Sequence, residues 1–457
     1  MDMKNVKEHW PLGLIVLIFF GIQLSSLFYA RDLWWDASVY VGMGKYIFSL
    51  GHAGLWESER PLIWPLMLGF LWKLGLNEIM WGKILTFGFS IGCIVLTYCI
   101  GQKYFNKTTA LISSLFLAFT PLFFLYTTVL QTEIPATFFL LLGIYYYEKK
   151  PFLTGILFGV SMMTRFFQVI IISSILVYTL LKKREKIVDI ITGFGIPVSI
   201  FCITNIFLYH DPFYPFTLQV YMTQNTGWIF YQPWWYYFVE LFKENLFFIV
   251  TIAGIYFILK EKKLEKIFIV TIFIVGFIPF IFEKHKETRL LISLLPFLIF
   301  LTVYGLTLIV EHIQNIHKKK IVYVILMIVW ALYTIPLLHF NTYDDHLDFF
   351  YDALADTSLE EIWISNPSMI AYTNKTAELI YFPLYNTEKI YELNEKISEA
   401  HMILLNSCDI LPCPPLDTTC TTAHNAFIKS LQQNFNTAIN SSGECDYFIF
   451  YLNNDLQ

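Results

Sequence analysis

Apolar stretches of about 20 residues recur along most of this chain, and they limit its fold more than any other feature. A stretch of this length can cross the roughly 30 Å of hydrocarbon in a bilayer as an α-helix. Of the 457 residues, 56% are hydrophobic and only 15% are charged, whereas a soluble domain carries about 25% charged residues. The sequence therefore predicts a polytopic α-helical membrane protein.

Clusters of lysine and arginine predict the side of the membrane on which each loop lies, because these residues concentrate in cytoplasmic loops. The lysine-rich segments at 182–186, 260–266 and 317–320 are the clearest examples. Threading the apolar stretches between such clusters predicts about eleven spans, with the N-terminus inside and the C-terminus outside. The predicted spans lie near residues 11–30, 78–101, 108–128, 134–147, 151–164, 166–181, 188–208, 241–259, 267–282, 290–310 and 321–338.

Two domains follow from this division. Residues 1–339 form the predicted membrane domain, which includes a long catalytic outer loop at 31–77, and residues 340–457 form a small extracytoplasmic domain. In the second domain, short apolar runs at 361–366, 378–383, 401–406 and 447–452 predict strands, and amphipathic segments at 387–400 and 424–435 predict helices. This alternation indicates an α/β domain that caps the membrane domain or helps to bind an acceptor. The predicted location is the plasma membrane or an equivalent membrane.

Four cysteines lie in the predicted extracytoplasmic domain: Cys408, Cys413, Cys420 and Cys445. In an oxidising compartment they predict two disulfides, and all three connectivities stay open. A zinc site is the alternative interpretation, although neither a CxxC motif nor a histidine pair accompanies these cysteines.

Ionisable residues at span boundaries are costly in a membrane and therefore mark candidate functional sites. Five places on the predicted outer side carry them: Asp36 with Tyr40, Arg60, Glu133, Arg165, and the HKETR segment at 285–289. Asp36 and Tyr40 are four residues apart, so a helix that begins at Asp36 presents both on one face.

Each single residue also has a plainer interpretation. Asp36 precedes a helical segment and is suited to an N-cap. Arg60 is suited to an interfacial anchor, and Glu133 to a solvated charge at a helix N-terminus. Arg165 has no lysine neighbours, but its long side chain can reach the interface.

The HKETR segment is the most specific of the five signals. His285, Lys286 and Arg289 share one face at the start of a span, and the predicted topology places them outside. A basic group on that side is contrary to the positive-inside rule. It therefore predicts an anionic ligand, and a lipid phosphate at the interface is the obvious one.

These motifs together resemble the C-type glycosyltransferase superfamily, polytopic enzymes that use polyprenyl-phosphate-linked sugars outside the cytoplasm. The resemblance covers most of the chain. It depends on the Asp36–Tyr40 element, the RPLIWPLMLGFLW segment, the turn QTEIPATFFLLLG, and TGILFGVSMMTR ending at Arg165. These four segments look like those of protein O-mannosyltransferases and aminoarabinose transferases. The HKETR segment looks like the HKExR element of related mannosyltransferases. A single acid at Asp36, and Glu133 where many relatives carry Asp, leave the sugar and the acceptor open.

The resemblance implies an inverting transfer of a sugar, such as mannose, from a polyprenyl-phosphate donor to an acceptor hydroxyl. Asp36 is the expected general base, and Glu133 and Tyr40 are expected to orient the sugar or acceptor. The predicted phosphate-binding residues are Arg60, Arg165, His285, Lys286 and Arg289. Planar arginine side chains suit phosphate oxygens.

The predicted partners are the lipid-linked donor, membrane lipids, and a lipid, glycan or protein acceptor. No nucleic-acid partner is predicted, because the lysine clusters are short and scattered. No particular cofactor is predicted, and a divalent metal stays open. The alternatives are a transporter or flippase of lipid-linked sugars, and a ligase that moves a preassembled glycan. Internal repeats, typical of transporters, are not evident in the sequence.

Overall fold

The computed structural model describes residues 3–28, 33–225, 229–339, 348–356, 358–380, 387–409, 413, 416–442 and 445–452. The chain divides into two compact units. The first comprises Met1–Tyr29, Lys83–Phe213 and Tyr231–Asn341, and the second comprises Ala30–Gly82, Tyr214–Phe230 and Thr342–Gln457. The second unit therefore combines the predicted C-terminal domain with the outer loop at 31–77.

Helices make up most of the described chain. In order they are α1 Met3–Phe28, α2 Trp35–Ser49, α3 Ile63–Lys73, α4 Glu78–Tyr104, α5 Lys107–Phe119, α6 Pro121–Tyr126, α7 Glu133–Tyr146, α8 Pro151–Thr164, α9 Gln168–Lys182, α10 Ile187–Tyr209, α11 Tyr214–Asn225, α12 Tyr236–Glu244, α13 Thr251–Glu261, α14 Leu264–Phe282, α15 Leu295–Glu311, α16 Ile316–Thr334, α17 Asp348–Asp356, α18 Ser368–Ala371, α19 Thr387–Glu395 and α20 Thr418–Asn434. The strands are β1 Glu361–Ile364, β2 Thr376–Leu379, β3 Met402–Asn406, β4 Phe435–Ser442 and β5 Cys445–Leu452.

Most helices of the first unit lie at the predicted spans, but the span predicted at 108–128 is divided into α5 and α6, and that at 241–259 into α12 and α13. Within the described ranges, five helices are long and apolar enough to cross a membrane: His9–Leu27, Glu78–Tyr104, Arg184–Tyr209, Leu264–Phe282 and Ile316–Leu337. A sixth candidate combines α12 with Leu246–Glu261, which meet at 119°. The helices α5, α7, α8, α9 and α15 are apolar but shorter. The chain is thus a multi-pass membrane protein, and the count of about eleven spans stays a prediction.

Close helix packing in the first unit depends on small residues. A Cβ atom added to Gly155 of α8 would lie 2.1 Å from the carbonyl oxygen of Ile190 in α10. A Cβ atom added to Gly193 of α10 would lie equally close to the carbonyl oxygen of Phe152. Glycine therefore lets the two backbones touch, as in many membrane helix pairs.

The second unit contains a sheet with strand order β2-β1-β3-β5-β4 in the described residues. β1 runs parallel to β2 and β3, whereas β5 runs antiparallel to β3 and β4. The predicted α/β architecture is confirmed for β1, β3, β5, α19 and α20. The strand predicted at 378–383 overlaps only the end of β2, and residues 381–383 lie outside the described residues. The strand β4 was not predicted, and its start overlaps the end of the predicted helix at 424–435.

The outer loop packs on one face of this sheet. Val39 and Met43 of α2, together with Leu55, join the apolar core formed with β1, β2 and β3. The other face is covered by α19 and α20. The amide of Gly54 also donates to the carbonyl of Lys375 over 2.8 Å, at the free edge of β2. The loop is therefore an integral part of the second unit.

Lys45 is a buried charge that ties α2 to its neighbours in the second unit. Its Nζ lies 3.0 Å from Oε1 of Glu78, and its side chain is 2% exposed. The same ammonium donates to the carbonyl oxygens of Ala371 and Thr373 over 2.6 and 2.8 Å. One ammonium group with three protons can make all three interactions.

We predict that Lys45→Met lowers the free energy of unfolding by about 3–5 kcal/mol, because it leaves a poorly solvated carboxylate without its partner. Chemical denaturation of the detergent-solubilised protein measures this change. The matched control is Lys73→Met, since Lys73 is exposed and its replacement should alter stability by about 0.5 kcal/mol or less. Equal stability of the two variants would contradict the structural role of Lys45.

Candidate active site

Asp36 lies in the first turn of α2, in the second unit. The helix begins at Trp35 and has Trp34 as its N-cap, so Asp36 is not the capping residue that the plainer interpretation requires. Its Oδ1 lies 2.9 Å from Nη1 of Arg60, and the two side chains are 14% and 16% exposed. The structure thus pairs two of the predicted site residues in a partly buried setting, where salt screens the attraction weakly.

Arg60 is shared between two carboxylates. Its Nε donates a hydrogen bond of 2.6 Å to Oε2 of Glu57, while its guanidinium carbon lies 5.7 Å from the centre of the Tyr40 ring. Tyr40 follows Asp36 by one helical turn, so α2 presents both residues towards Arg60. A planar guanidinium can satisfy all three contacts at once, and this holds Asp36 in place.

Glu57 is a site residue that the sequence analysis missed, although it lies three positions before Arg60. Burial raises the pKa of Glu57 to about 8, while the charge and hydrogen bond of Arg60 act in the opposite direction. Since one guanidinium cannot balance two carboxylates, we assign the proton to Glu57 at neutral pH.

The segment that follows strand β1 holds the first turn of α2 in place. Ser368 begins α18 shortly after that strand, and its hydroxyl donates to the carbonyl of Leu33 over 3.0 Å. The hydroxyl of Ser38 lies 3.1 Å from the hydroxyl oxygen of Ser368. Because Ser368 has a single proton, Ser38 must be the donor in that pair. The sheet therefore sets the position of the turn that carries Asp36.

Glu133 and Arg165 meet at one end of a helical hairpin in the first unit. Glu133 begins α7, and Arg165 directly follows α8, which runs back alongside it. Ser161 donates to the carbonyl of Ala136 over 2.7 Å and so sets the register of the two helices. Nη1 of Arg165 lies 2.8 Å from Oε1 of Glu133, whose side chain is 1% exposed. Arg165 supplies the opposite charge that a buried carboxylate needs.

The HKETR segment converges on its own acid, Glu287. Nε2 of His285 lies 2.8 Å from Oε1 of Glu287, and Nε of Arg289 lies 2.7 Å from Oε2. Burial acts to raise the pKa of Glu287, but the hydrogen bond from His285 and the charge of Arg289 outweigh it and lower the pKa to about 2. Glu287 therefore stays ionised and orients both basic groups.

Arg289 also joins this segment to the hairpin, because its Nε lies 3.9 Å from Oε1 of Glu133. Lys286 is buried and its ammonium donates to the backbone carbonyl of Glu283. The structure thus brings Glu133, Arg165, Arg289 and His285 into one cluster, with Lys286 beside it.

The predicted site residues therefore fall into two clusters, one in each unit. The second unit holds Asp36, Tyr40 and Arg60, and the first unit holds Glu133, Arg165, His285, Lys286 and Arg289. Glu57 and Glu287, the two acids that the sequence analysis missed, each lie within three residues of a predicted basic residue. That spacing is the sequence signal of the two pairs, but it does not show that the acids are buried or partly buried.

The structure pairs Cys413 with Cys420 in a disulfide. Cys408 is also disulfide-bonded, while the side chain of Cys445 lies outside the described residues. Among the residues that the structure describes, no three His, Cys, Asp or Glu side chains are grouped so that they could hold a metal ion.

The chain was compared with known families and structures. A family described as dolichyl-phosphate-mannose-protein mannosyltransferase matches residues 59–209, a segment that contains Arg60, Glu133 and Arg165. A sequence search of curated proteins gave no significant match.

The fold is similar to that of ArnT from Cupriavidus metallidurans bound to undecaprenyl phosphate. The TM-score is 0.67 at 11% identity, over 96% of this chain and 98% of the other. The archaeal oligosaccharyltransferase AglB from Archaeoglobus fulgidus, in complex with an inhibitory peptide and a dolichol-phosphate, gives a TM-score of 0.62 at 10% identity. That match covers 98% of this chain and 74% of the other.

The chain has the C-type glycosyltransferase fold. The resemblance predicted from the sequence is confirmed for the fold, and residues 59–209 match a family of membrane glycosyltransferases. The comparisons do not favour the transporter alternative. The activity of the two clusters can therefore be tested as glycosyl transfer.

We predict that the transfer rate falls as the pH rises through about 8, the pKa of Glu57. Deprotonation of Glu57 gives Arg60 a second ionised partner and weakens its hold on Asp36. Glu57→Gln removes this ionisation, so the variant should keep its activity at neutral pH and lose the alkaline decline. The pH profile of kcat measures the difference.

Glu395→Gln is the matched control, because Glu395 is exposed on α19 and its replacement should leave the alkaline decline in place. An unchanged decline in Glu57→Gln would rule out this assignment.

Proposed function

We propose that this protein is an inverting glycosyltransferase that moves a hexose, such as mannose, from a polyprenyl-phosphate donor to an acceptor hydroxyl. The observation that carries the proposal is the cluster of Glu133, Arg165 and Arg289 in the first unit. Together with Lys286, the two arginines outnumber the acids Glu133 and Glu287, and this leaves positive charge that a phosphate can use. The undecaprenyl phosphate bound to ArnT and the dolichol-phosphate bound to AglB support a lipid-phosphate donor.

The proposed reaction needs one general base. Asp36 accepts the proton of the acceptor hydroxyl while the hydroxyl oxygen forms its bond to the anomeric carbon. The bond from that carbon to the phosphate oxygen breaks at the same time, and polyprenyl phosphate leaves with the electron pair. Because a phosphate leaves without protonation, the second carboxylic acid of glycosidases is not needed. Attack opposite the leaving group inverts the configuration, so a β-linked donor gives an α-linked product.

The other residues receive supporting roles. Arg165, Arg289, His285 and Lys286 balance the charge that develops on the phosphate. Glu133 orients the sugar or the acceptor. Arg60 holds Asp36 in its ionised form, which is the role that its two carboxylate contacts favour over direct phosphate binding.

The distribution of basic residues supports an extracytoplasmic active site. The lysine-rich segments at 182–186 and 260–266 lie at helix ends away from Asp36 and HKETR in the predicted topology. Lipid-linked sugars presented on the outer face are then the available donors. A lipid, a glycan or a protein can each supply the accepting hydroxyl.

We predict that Asp36→Asn lowers kcat by about 100-fold or more, because the amide cannot accept the proton. Purified protein is incubated with labelled polyprenyl-phosphate mannose and an extract of candidate acceptors, and labelled product is counted. Asp189→Asn is the matched control, since Asp189 lies in the first turn of α10 as Asp36 does in α2. Full activity of Asp36→Asn would exclude Asp36 as the base, and movement of the donor across vesicles without product would favour a flippase.

We predict that Arg289→Ala lowers kcat/KM for the donor by about 10–100-fold, the range for a lost charge-assisted hydrogen bond. KM for the acceptor should change little, because the guanidinium is assigned to the phosphate. Steady-state kinetics with each substrate varied in turn separate the two effects. Arg184→Ala, at an exposed arginine before α10, should leave both constants unchanged. Unaltered donor kinetics in Arg289→Ala would contradict the phosphate assignment.

A further inference from the structure

Three buried side chains of the first unit hold carboxylate or amide oxygen atoms that receive no hydrogen bond from any described residue, in addition to several buried hydroxyl groups elsewhere in the unit. The three oxygen atoms are Oε1 of Gln131, Oε2 of Glu133 and Oε1 of Gln168. The three residues are 1%, 1% and 2% exposed. Buried acceptors are normally satisfied, because an unsatisfied one costs stability. Three of them in one region require an explanation.

The orientation of the Gln168 amide follows from a chain of hydrogen bonds. Thr137 donates its hydroxyl proton to the carbonyl of Glu133 over 2.7 Å, so Ser293 must be the donor in its 2.6 Å contact with the Thr137 hydroxyl. The Ser293 oxygen can then only accept, and Nε2 of Gln168 donates to it over 2.5 Å. The amide nitrogen is therefore committed, and the oxygen is the end left for another partner.

The same chain connects Gln168 with Glu133. It runs from Gln168, at the start of α9, through Ser293 and Thr137 to the backbone carbonyl of Glu133, at the start of α7. Gln131 lies two residues before Glu133. The three residues therefore belong to the region in which Arg165 contacts Glu133.

Gln23 shows what a purely structural buried glutamine looks like in this protein. It is 1% exposed, its Nε2 donates to the carbonyl of Phe124 over 2.8 Å, and its Oε1 accepts from Ser26 over 2.8 Å. Both ends of its amide are satisfied within the first unit. Gln168 is equally buried but satisfied at one end only.

The missing partners must be hydrogen-bond donors. A cation is disfavoured, because Arg165 and Arg289 already bring positive charge to Glu133. Neutral hydroxyl groups meet the requirement, and a sugar ring presents several of them at once. The adjacent arginines are the proposed phosphate-binding residues, and a sugar on that phosphate would lie beside them.

We infer that the oxygens of Gln131, Glu133 and Gln168 accept hydrogen bonds from hydroxyl groups of the donor's sugar ring. The inference rests on the proposed function and adds the residues that select the sugar. Gln131 and Gln168 recognise the ring without taking part in bond breaking.

The test compares the affinity of the full-length protein for polyprenyl phosphate with that for polyprenyl-phosphate mannose and polyprenyl-phosphate glucose. The ratio of the dissociation constants isolates the contribution of the sugar. Gln168→Met and Gln131→Met keep side-chain length but cannot accept these hydrogen bonds. For the sugar that the wild type binds more tightly, each variant should reduce the gain in affinity over polyprenyl phosphate by about tenfold. The affinity for polyprenyl phosphate itself should stay unchanged.

Gln23→Met is the matched control, and it should leave the ratio unchanged even if it lowers stability. Unaltered binding of polyprenyl phosphate confirms that a variant is folded, and Gln131→Met provides a second test if Gln168→Met fails to fold. Ratios close to one in the wild type, or equal ratios in wild type and both variants, would overturn the inference. A change only in KM for the acceptor would overturn it as well.

The two proposals fail in different ways. If the wild type transfers no sugar but the variants lose the sugar-dependent affinity, the proposed transfer is wrong and the sugar subsite stands. If the wild type transfers sugar and the ratios do not change, the transfer stands and the subsite is wrong.

Discussion

The ion pair between Glu133 and Arg165 is the interaction on which the membrane unit's polar cluster depends. A carboxylate with a side chain only 1% exposed cannot remain charged among apolar helices without an opposite charge in contact. The hairpin of α7 and α8 places Arg165, at the end of α8, beside Glu133, at the start of α7. Arg289 then adds a second positive charge 3.9 Å away, which Glu287 holds in place. Charge neutralisation thus determines where these loops can lie.

The second unit also contains buried acids whose charge must be compensated. Asp36 and Glu57 share Arg60, so one of the two acids must hold a proton to avoid an unbalanced buried charge. The α2 helix, which carries Asp36, is attached to the α/β part of the second unit through Ser368 and the buried Lys45. The small domain therefore acts as the support for the candidate base. This is a more specific role than a cap.

The buried glutamines of the first unit differ in how completely their amides are satisfied. Gln23 is hydrogen-bonded at both ends, whereas Gln131 and Gln168 keep acceptors without donors among the described residues. Unsatisfied buried groups are expected where a ligand completes the site. Along α7 and α9, the unsatisfied side chains are Glu133 and Gln168, at the start of each helix.

Much of the architecture was accessible from the sequence, because hydrocarbon imposes length and polarity on every span. The apolar stretches predicted most helices of the first unit, but α1 begins eight residues before the predicted span and the span predicted at 241–259 is divided between α12 and α13. Period and turn residues predicted β1, β3 and β5. Asp36, Arg60, Glu133, Arg165 and HKETR stood out as charges in costly places. Glu57 and Glu287 did not, because an acid beside a base looks like an ordinary surface pair until its burial is known.

Sequence alone therefore determined the membrane class, the resemblance to the C-type glycosyltransferases and the inventory of charged residues. Only the tertiary structure decided which charges are partners: Asp36 with Arg60, Glu133 with Arg165, and Glu287 with His285 and Arg289. It also decided that the loop at 31–77 belongs with the C-terminal sheet and that Gln168 has its amide oxygen unsatisfied. The physical reason is that hydropathy acts on each segment separately, whereas ion pairs and hydrogen bonds need two atoms within about 3 Å, and residues far apart in the chain reach that distance only in the folded protein.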